Sequence, residues 1–320
     1  MTNILRKTEP VKREKKKKHK PRISTLPFHL MLLPGVIIVF IYHYLPMFGV
    51  VIAFQNFDIT RGVAAFWESE WVGFDNFRRL FTAGDASRVI GNTFRISALK
   101  IVLGFPVPII VALMLNEVTR DFFKRSIQTI VYIPHFISWV IFASIVRQIF
   151  SFEGFVNTNI FPIFGLTPIN FLASNDHFVP LLVLTDIWRN FGYGTIIFLA
   201  AITAIDPALY EAAVVDGAGR MRQTWHVTLP GMRPIIVLVM VLSLQNILNA
   251  GFDQIFNLYN SQVFATADII DTWVFRATFM SATPQFSLGM AISLFRSVVS
   301  MFFIGLSYFL AYRVAKYQIF

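Results

Sequence analysis

Six stretches of almost uninterrupted apolar residues divide the chain, at 30–54, 92–115, 127–150, 178–203, 234–256 and 288–312. Each holds 23–26 residues. That length crosses about 30 Å of hydrocarbon with some tilt. A helix is the only open-chain route through lipid, because each backbone N–H and C=O must find its partner within the segment. The pattern therefore predicts an all-α integral membrane protein with six transmembrane helices. Pro34 and Pro46 fall in the first stretch and are expected to kink it.

Composition agrees. Of 320 residues, 55% are apolar and 14% charged, and the mean hydropathy is +0.60. Such a chain is too apolar for an ordinary soluble domain and far from the composition of disorder. Cysteine is absent, which excludes disulfides, thiolate metal sites and thiol nucleophiles.

The net charge of +10 is concentrated at one end. Residues 1–22 carry ten Lys or Arg and two Glu, so the other 298 residues hold only +2. Residues 1–27 read as a basic cytoplasmic tail, and residues 28–320 as one six-helix transmembrane domain. Beside an apolar span, such a run is an anchor to anionic lipid, worth up to about 1 kcal/mol per charge. No aromatic is interleaved with the bases, so nucleic acid is not an expected partner. With the N-terminus inside, 18 bases fall in inside segments and five in outside ones. The positive-inside rule then places both termini in the cytoplasm.

The outside segments differ in kind. Residues 55–91 combine Phe66, Trp67, Trp71, Phe74 and Phe77 with Asp58, Glu68, Glu70 and Asp75, and residues 151–177 contain no Lys or Arg. The aromatics read either as an interfacial belt or as a platform for sugar rings or a docking partner.

Most catalytic signatures are missing. There is no Gly-Lys pair and hence no phosphate-cradling P-loop, no H-E-x-x-H helix and no G-x-S-x-G elbow. The six His are scattered without metal-ligand spacing. His43 and His135 read as interface or packing residues. Neither catalytic nor metal-binding residues are expected.

One inside loop, 204–233, stands apart. Asp206 is suited to cap a helix that opens on Pro207. Glu211, Ala212 and Ala213 continue it, and Gly217 and Gly219 end it. Small residues offer a face that another protein can approach closely, while Glu211, Asp216, Arg220 and Arg222 keep its rim soluble. A second amphipathic piece, 220–229, is expected to lead to Pro230 and the fifth span. The product is a short helix–turn–helix, too small to be a domain, that reads either as a docking knob or as an ordinary interfacial helix.

This loop resembles the Glu-Ala-Ala signature of ABC importer permeases: E-A-A, three residues, Gly, nine residues, an aliphatic residue, one more, then Leu-Pro. The chain has Glu211-Ala212-Ala213, Gly217, Val227 and Leu229-Pro230 at those positions. Further stretches resemble the permeases that take up oligo- and polysaccharides. They are Ala53-Phe54-Gln55-Asn56-Phe57, Trp71-Val72-Gly73-Phe74-Asp75-Asn76-Phe77, Tyr132-Ile133-Pro134-His135-Phe136 and Ala200-Ala201-Ile202-Thr203-Ala204-Ile205-Asp206. The resemblance runs from about residue 28 to the end.

It implies a type I ABC importer permease fold in a bacterial cell membrane. The E-A-A helix would be a coupling helix seated in a cleft of a separate ATPase dimer. A second homologous permease subunit would complete the translocation path, and an extracytoplasmic solute-binding protein would deliver an oligosaccharide. ATP and Mg would be bound by the ATPase and no cofactor by this chain. The coupling residues implied are Glu211, Ala212, Ala213, Asp216, Gly217, Arg220, Leu229 and Pro230. Alternatives are import of a non-sugar solute, since the loop is shared across importers, or a polytopic enzyme acting on lipid-linked sugars.

Polar residues in the spans supply candidates for the path. Gln245, Asn249 and Asp253 fall at i, i+4 and i+8, one stripe of an expected fifth-span helix, with Asn246 and Phe252 alongside. Asp186, Arg189, Asn190 and Tyr193 make a similar stripe on span four. Polar groups at such depth usually face a bundle interior or a water-filled cavity, and amides and carboxylates suit sugar hydroxyls. The competing reading is helix–helix glue, in which Asp186 or Asp253 pairs with Arg189 or Arg296.

Overall fold

The computed structural model describes residues 25–82 and 84–315. The basic run at residues 1–24 lies outside them. The chain divides into two units, Met1–Gly49 and Val50–Phe320.

In the first unit, helix α1 (Leu26–Val39) contains Pro34 and continues through a π turn at Phe40–Tyr44. There Leu45 N–H donates to Phe40 O, one residue beyond the normal α-helical partner. The widened turn lies directly ahead of Pro46, which has no N–H to offer. A helical turn at Leu45–Met47 follows, and no residue of α1 is buried.

The second unit is built around five further spans. Helices α2 (Asp75–Thr82), α3 (Ala86–Gly104) and α4 (Pro106–Asn116) come first. α3 and α4 form one 31-residue apolar run, bent at Phe105 where Pro106 opens α4. Next are α5 (Asp121–Phe136), α6 (Trp139–Phe150), α7 (Asn175–Thr203) and α8 (Pro207–Val215). They are followed by α9 (Leu229–Leu244), α10 (Phe252–Leu258), α11 (Ile270–Phe275) and α12 (Phe286–Ala315). Among the described residues four helices are long and apolar enough to cross a membrane, and six if each bent pair is one span.

Two spans differ from expectation. The third stretch, 127–150, is not one helix: α5 and α6 meet at 104°. Pro134 loosens the end of α5, and Ser138 restarts the chain by accepting a hydrogen bond from Ile141 N–H. The fifth stretch, 234–256, is also broken. α9 stops at Leu244, and residues 245–251 turn before α10. Gly251 sits at φ +90°, a conformation open to glycine at little cost. The expected helical stripe of Gln245, Asn249 and Asp253 therefore does not exist. At the other end of that span, 220–244 is one continuous helical run, so Pro230 opens nothing new. It lies just after the π turn at Thr224–Thr228, where Leu229 N–H donates to Thr224 O and the widened bonding accommodates a residue without an N–H.

Three apolar clusters hold the second unit together, one of them joining α2, α3, α11 and α12 through Leu80, Val89, Ile270 and Ile292. Phe142, Val146, Phe178, Leu182, Ile255 and Leu258 join α6, α7 and α10. Ala112, Leu115, Phe198, Ile202 and Met232 join α4, α7 and α9. Where α5 crosses α7 the backbones nearly touch. A Cβ on Gly192 would lie 1.9 Å from the Val131 carbonyl oxygen.

Polar bonds fix the segments outside the spans. Strands β1 (Gln55–Asn56) and β2 (Glu70–Trp71) pair antiparallel. The buried Asn76 amide donates to the Ala53 and Gln55 carbonyls, each at 3.0 Å. Phe54 stacks on Trp71 at 5.7 Å and touches Phe74 and Phe77, so several of these aromatics pack on one another. Trp67 is 80% exposed, and Phe74 and Trp71 remain 68% and 64% exposed. Farther on, Arg276 grips buried Asp268 with two bonds of 2.7 and 2.6 Å. Asn92 of α3 donates to the Ala265 and Asp268 carbonyls.

Candidate functional site

A cavity of about 670 Å³ opens between α3, α7 and the end of α9. Its polar wall includes Lys100, His135, Asp186, Asn190, Asn246 and Asn249, with Tyr193 beside them. The structure thus brings five of the eight path candidates to one space: Asp186, Asn190 and Tyr193 from α7, and Asn246 and Asn249 from the break after α9. Gln245 and Asp253 are not on that wall. The two asparagines reach it from the non-helical turn that follows α9.

Broken helices leave carbonyls without partners, and lipid offers none. Two cations meet this need. Arg189 donates through Nε and Nη2 to Ile137 O, at 3.2 and 2.8 Å, and its guanidinium lies 4.6 Å from the centre of the Trp139 ring. It braces the break between α5 and α6. At the second break, Lys100 Nζ donates to Ala250 O at 2.7 Å and to Gln254 Oε1, and lies 3.4 Å from Asp186 Oδ1. The Gln254 amide in turn donates to Leu182 O at 2.7 Å and to Thr185 Oγ1 at 2.9 Å.

The ion pairs are not those of the glue reading. Asp186 faces Lys100, and Arg296 pairs with Asp271. Sequence reasoning placed Lys100 inside a span and gave it no role. The available signal was the isolated ammonium itself, since an intramembrane ionisable group is costly unless it is used. His135 also proves to be a wall residue. Its ring lies 4.1 Å from that of Tyr193 at an interplanar angle of 6°, with Nδ1 3.1 Å from Asn190 Oδ1. It packs as foreseen, but at the edge of the cavity. The buried Ser97 hydroxyl, one turn before Lys100, lines the same space and has no partner among the described residues.

A second site is built by α8. Asp206 caps it by accepting from Ala208 N–H at 2.9 Å. Its far end is a complete Schellman closure: Gly217 N–H donates to Val214 O, Ala218 N–H donates to Ala213 O, and Gly217 sits at φ +76°. Glu211, Ala212 and Asp216 are exposed and Ala213 is half-buried. Val215 is 87% exposed and Leu209 and Val214 more than half, so an apolar face is left uncovered. The helix is tied back by the Tyr210 hydroxyl, 3.0 Å from Thr228 Oγ1, and Arg220 bonds Glu117 at 3.2 Å. Past half-buried Leu229 and exposed Pro230, Gly231 lets α9 pass Ile205 closely.

The family of binding-protein-dependent transport system inner membrane components matches residues 104–316 of this chain. The chain belongs to that family. Among the relatives of this permease, the polygalacturonan/rhamnogalacturonan transport system permease protein YteP of Bacillus subtilis (strain 168) is 42% identical over 306 residues, covering 95% of this chain and 92% of its own. Protein LplB of the same organism is 42% identical over 277 residues, covering 86% and 85%. Among solved structures, one chain of a bacterial ABC transporter that imports the acidic polysaccharide alginate superposes with a TM-score of 0.82 at 37% identity. It covers 91% of this permease and 96% of itself. A chain of the alginate transporter in complex with its alginate pentasaccharide-bound periplasmic protein gives 0.82 at 36% identity, with 92% and 97% covered. The chain is thus a multi-pass membrane permease of the type I importer fold.

Proposed function

We propose that this permease forms half of the translocation path of an ATP-driven importer for oligosaccharides or polysaccharide fragments, and that acidic chains are its substrates. The observation that carries the reading is the cavity: amides, a histidine–tyrosine stack and a neutralised carboxylate on one wall, at the depth of two broken spans. Asp186 does not oppose an anionic sugar, because Lys100 already faces it. Two of the similar proteins are named for acidic polysaccharides.

The rest of the assembly follows from α8. Its uncovered apolar face suits the cleft of a separate ATPase dimer, which binds ATP and Mg and would move α8 as a rigid body. A second homologous permease closes the path, and an extracytoplasmic solute-binding protein delivers the sugar. In this arrangement α8 and both termini lie in the cytoplasm, as the charge count requires.

The test is uptake into proteoliposomes carrying the complete complex, with oligogalacturonate, oligo-alginate and maltotriose as probes. ATP-dependent uptake of an acidic probe is the expected result, and Asn249→Ala should lower it with assembly intact. Uptake of maltotriose alone would overturn the acidic assignment, and uptake of none of them would remove the sugar assignment.

A further inference from the structure

One cationic side chain reaches the break after α9 from another span. Lys100 is 9% exposed and lies near the C-terminal end of α3, with its ammonium set among three oxygens of two other segments. One belongs to Ala250, whose carbonyl is released where the fifth span unwinds. One belongs to Gln254, which is itself fully buried and bonded to α7. One belongs to Asp186 on the cavity wall. Gly251 completes the fit: a Cβ there would lie 3.0 Å from Nζ, and its φ of +90° already disfavours any other residue. The unwound segment presents Asn246 and Asn249 to the cavity, and its C-terminal end is tied to α3 through this ammonium and to α7 through the Gln254 amide.

We propose that Lys100 is a positioning residue for transport: it fixes the geometry of the 245–251 break and thereby aims Asn246 and Asn249 into the path. The role goes beyond neutralising Asp186, because the Ala250 bond sets the backbone and the Asp186 contact, at 3.4 Å, is the looser of the two. A misplacement of about 1 Å in a positioning group can cost up to about a hundredfold in rate, so a small drift of this segment is enough to matter. The inference rests on the cavity being the sugar path.

The absence of cysteine allows a direct test. Asn249→Cys in a cysteine-free version of the complete complex is treated in native membranes with a cationic methanethiosulfonate reagent, and the labelling rate is compared with Lys100 intact and with Lys100→Met, Lys100→Arg and the double change Lys100→Met/Asp186→Asn. The expected result is a labelling rate altered about tenfold by Lys100→Met, largely restored by Lys100→Arg, and not restored by the double change. In parallel, ATP-driven uptake by the otherwise unaltered complex should fall about tenfold with Lys100→Met, while the half-saturating concentration of loaded binding protein stays the same.

If the double change restores both labelling and uptake, Lys100 only neutralises a charge and the inference fails. If labelling is identical in all Lys100 variants, the inference also fails, while labelling of the introduced thiol itself leaves the path reading standing. If the thiol introduced at position 249 is inert with Lys100 intact, it is the path reading that falls. Should Lys100→Met not assemble, the double change decides, because it leaves no unpaired carboxylate: a labelling rate altered about tenfold supports the inference, and a rate equal to that with Lys100 intact overturns it.

Discussion

At Gly217 the demand on the residue is purely conformational. No atom lies within 4 Å of the Cβ it lacks, yet its φ is +76°. Gly217→Ala should therefore cost about 1–2 kcal/mol of local stability through left-handed strain alone, with no clash to relieve. Gly219, two residues on, has φ −68° and accepts any side chain. The paired outcome is specific: Gly217→Ala inserts normally but loses substrate-stimulated ATPase activity, and Gly219→Ala keeps it. Tyr210 makes a second prediction. Its hydroxyl ties α8 to the start of the fifth span, and Tyr210→Phe keeps the ring while removing that tie. Binding of the ATPase should survive, and the ratio of sugar imported to ATP hydrolysed should drop. An unchanged ratio would show that α8 transmits motion without this bond.

Among the helices, the most exacting contact is between α5 and α7. With a Cβ on Gly192 placed 1.9 Å from a backbone oxygen, Gly192→Ala cannot be absorbed by a side-chain rotation. It should part the helices, unstack His135 from Tyr193 and abolish assembly, as measured by the amount of detergent-stable complex. Gly35→Ala, with nothing within 4 Å, is the control expected to change nothing.

This scale also separates what the sequence could reveal from what it could not. Long apolar runs carry strong period and length signals, so α1, the α3–α4 run, α7 and α12 were legible. The cap at Asp206 and the turn at Gly217 were legible because each relies on local chemistry of a few residues. The breaks at 137–138 and 245–251 were not. Ile137-Ser138 is too short to interrupt its apolar run, Gln245, Asn246 and Asn249 read equally well as a polar face of an unbroken helix, and what pays for the freed carbonyls is Arg189 and Lys100, which lie 52 and 150 residues away in sequence. A stripe drawn at i, i+4 and i+8 presumes the very hydrogen bonds that are missing after Leu244.

Across the whole molecule, charge is segregated: +8 lies in residues 1–22, and the rest of the chain is nearly neutral. Deleting residues 2–20 is expected to lower the fraction of chains inserted in the correct topology, read by protease protection, while uptake per correctly inserted complex is unchanged. A large loss of turnover at normal insertion would assign the tail a part in transport.

The crossing at Gly192 has a mechanical consequence. Two rods pressed backbone against backbone, and pinned again by a flat ring stack, have no room to slide past each other. α5 and α7 can only swing together as a single paddle. A stroke entering at the end of α7 would then reach the cavity wall undiminished, with the two helices moving as one body.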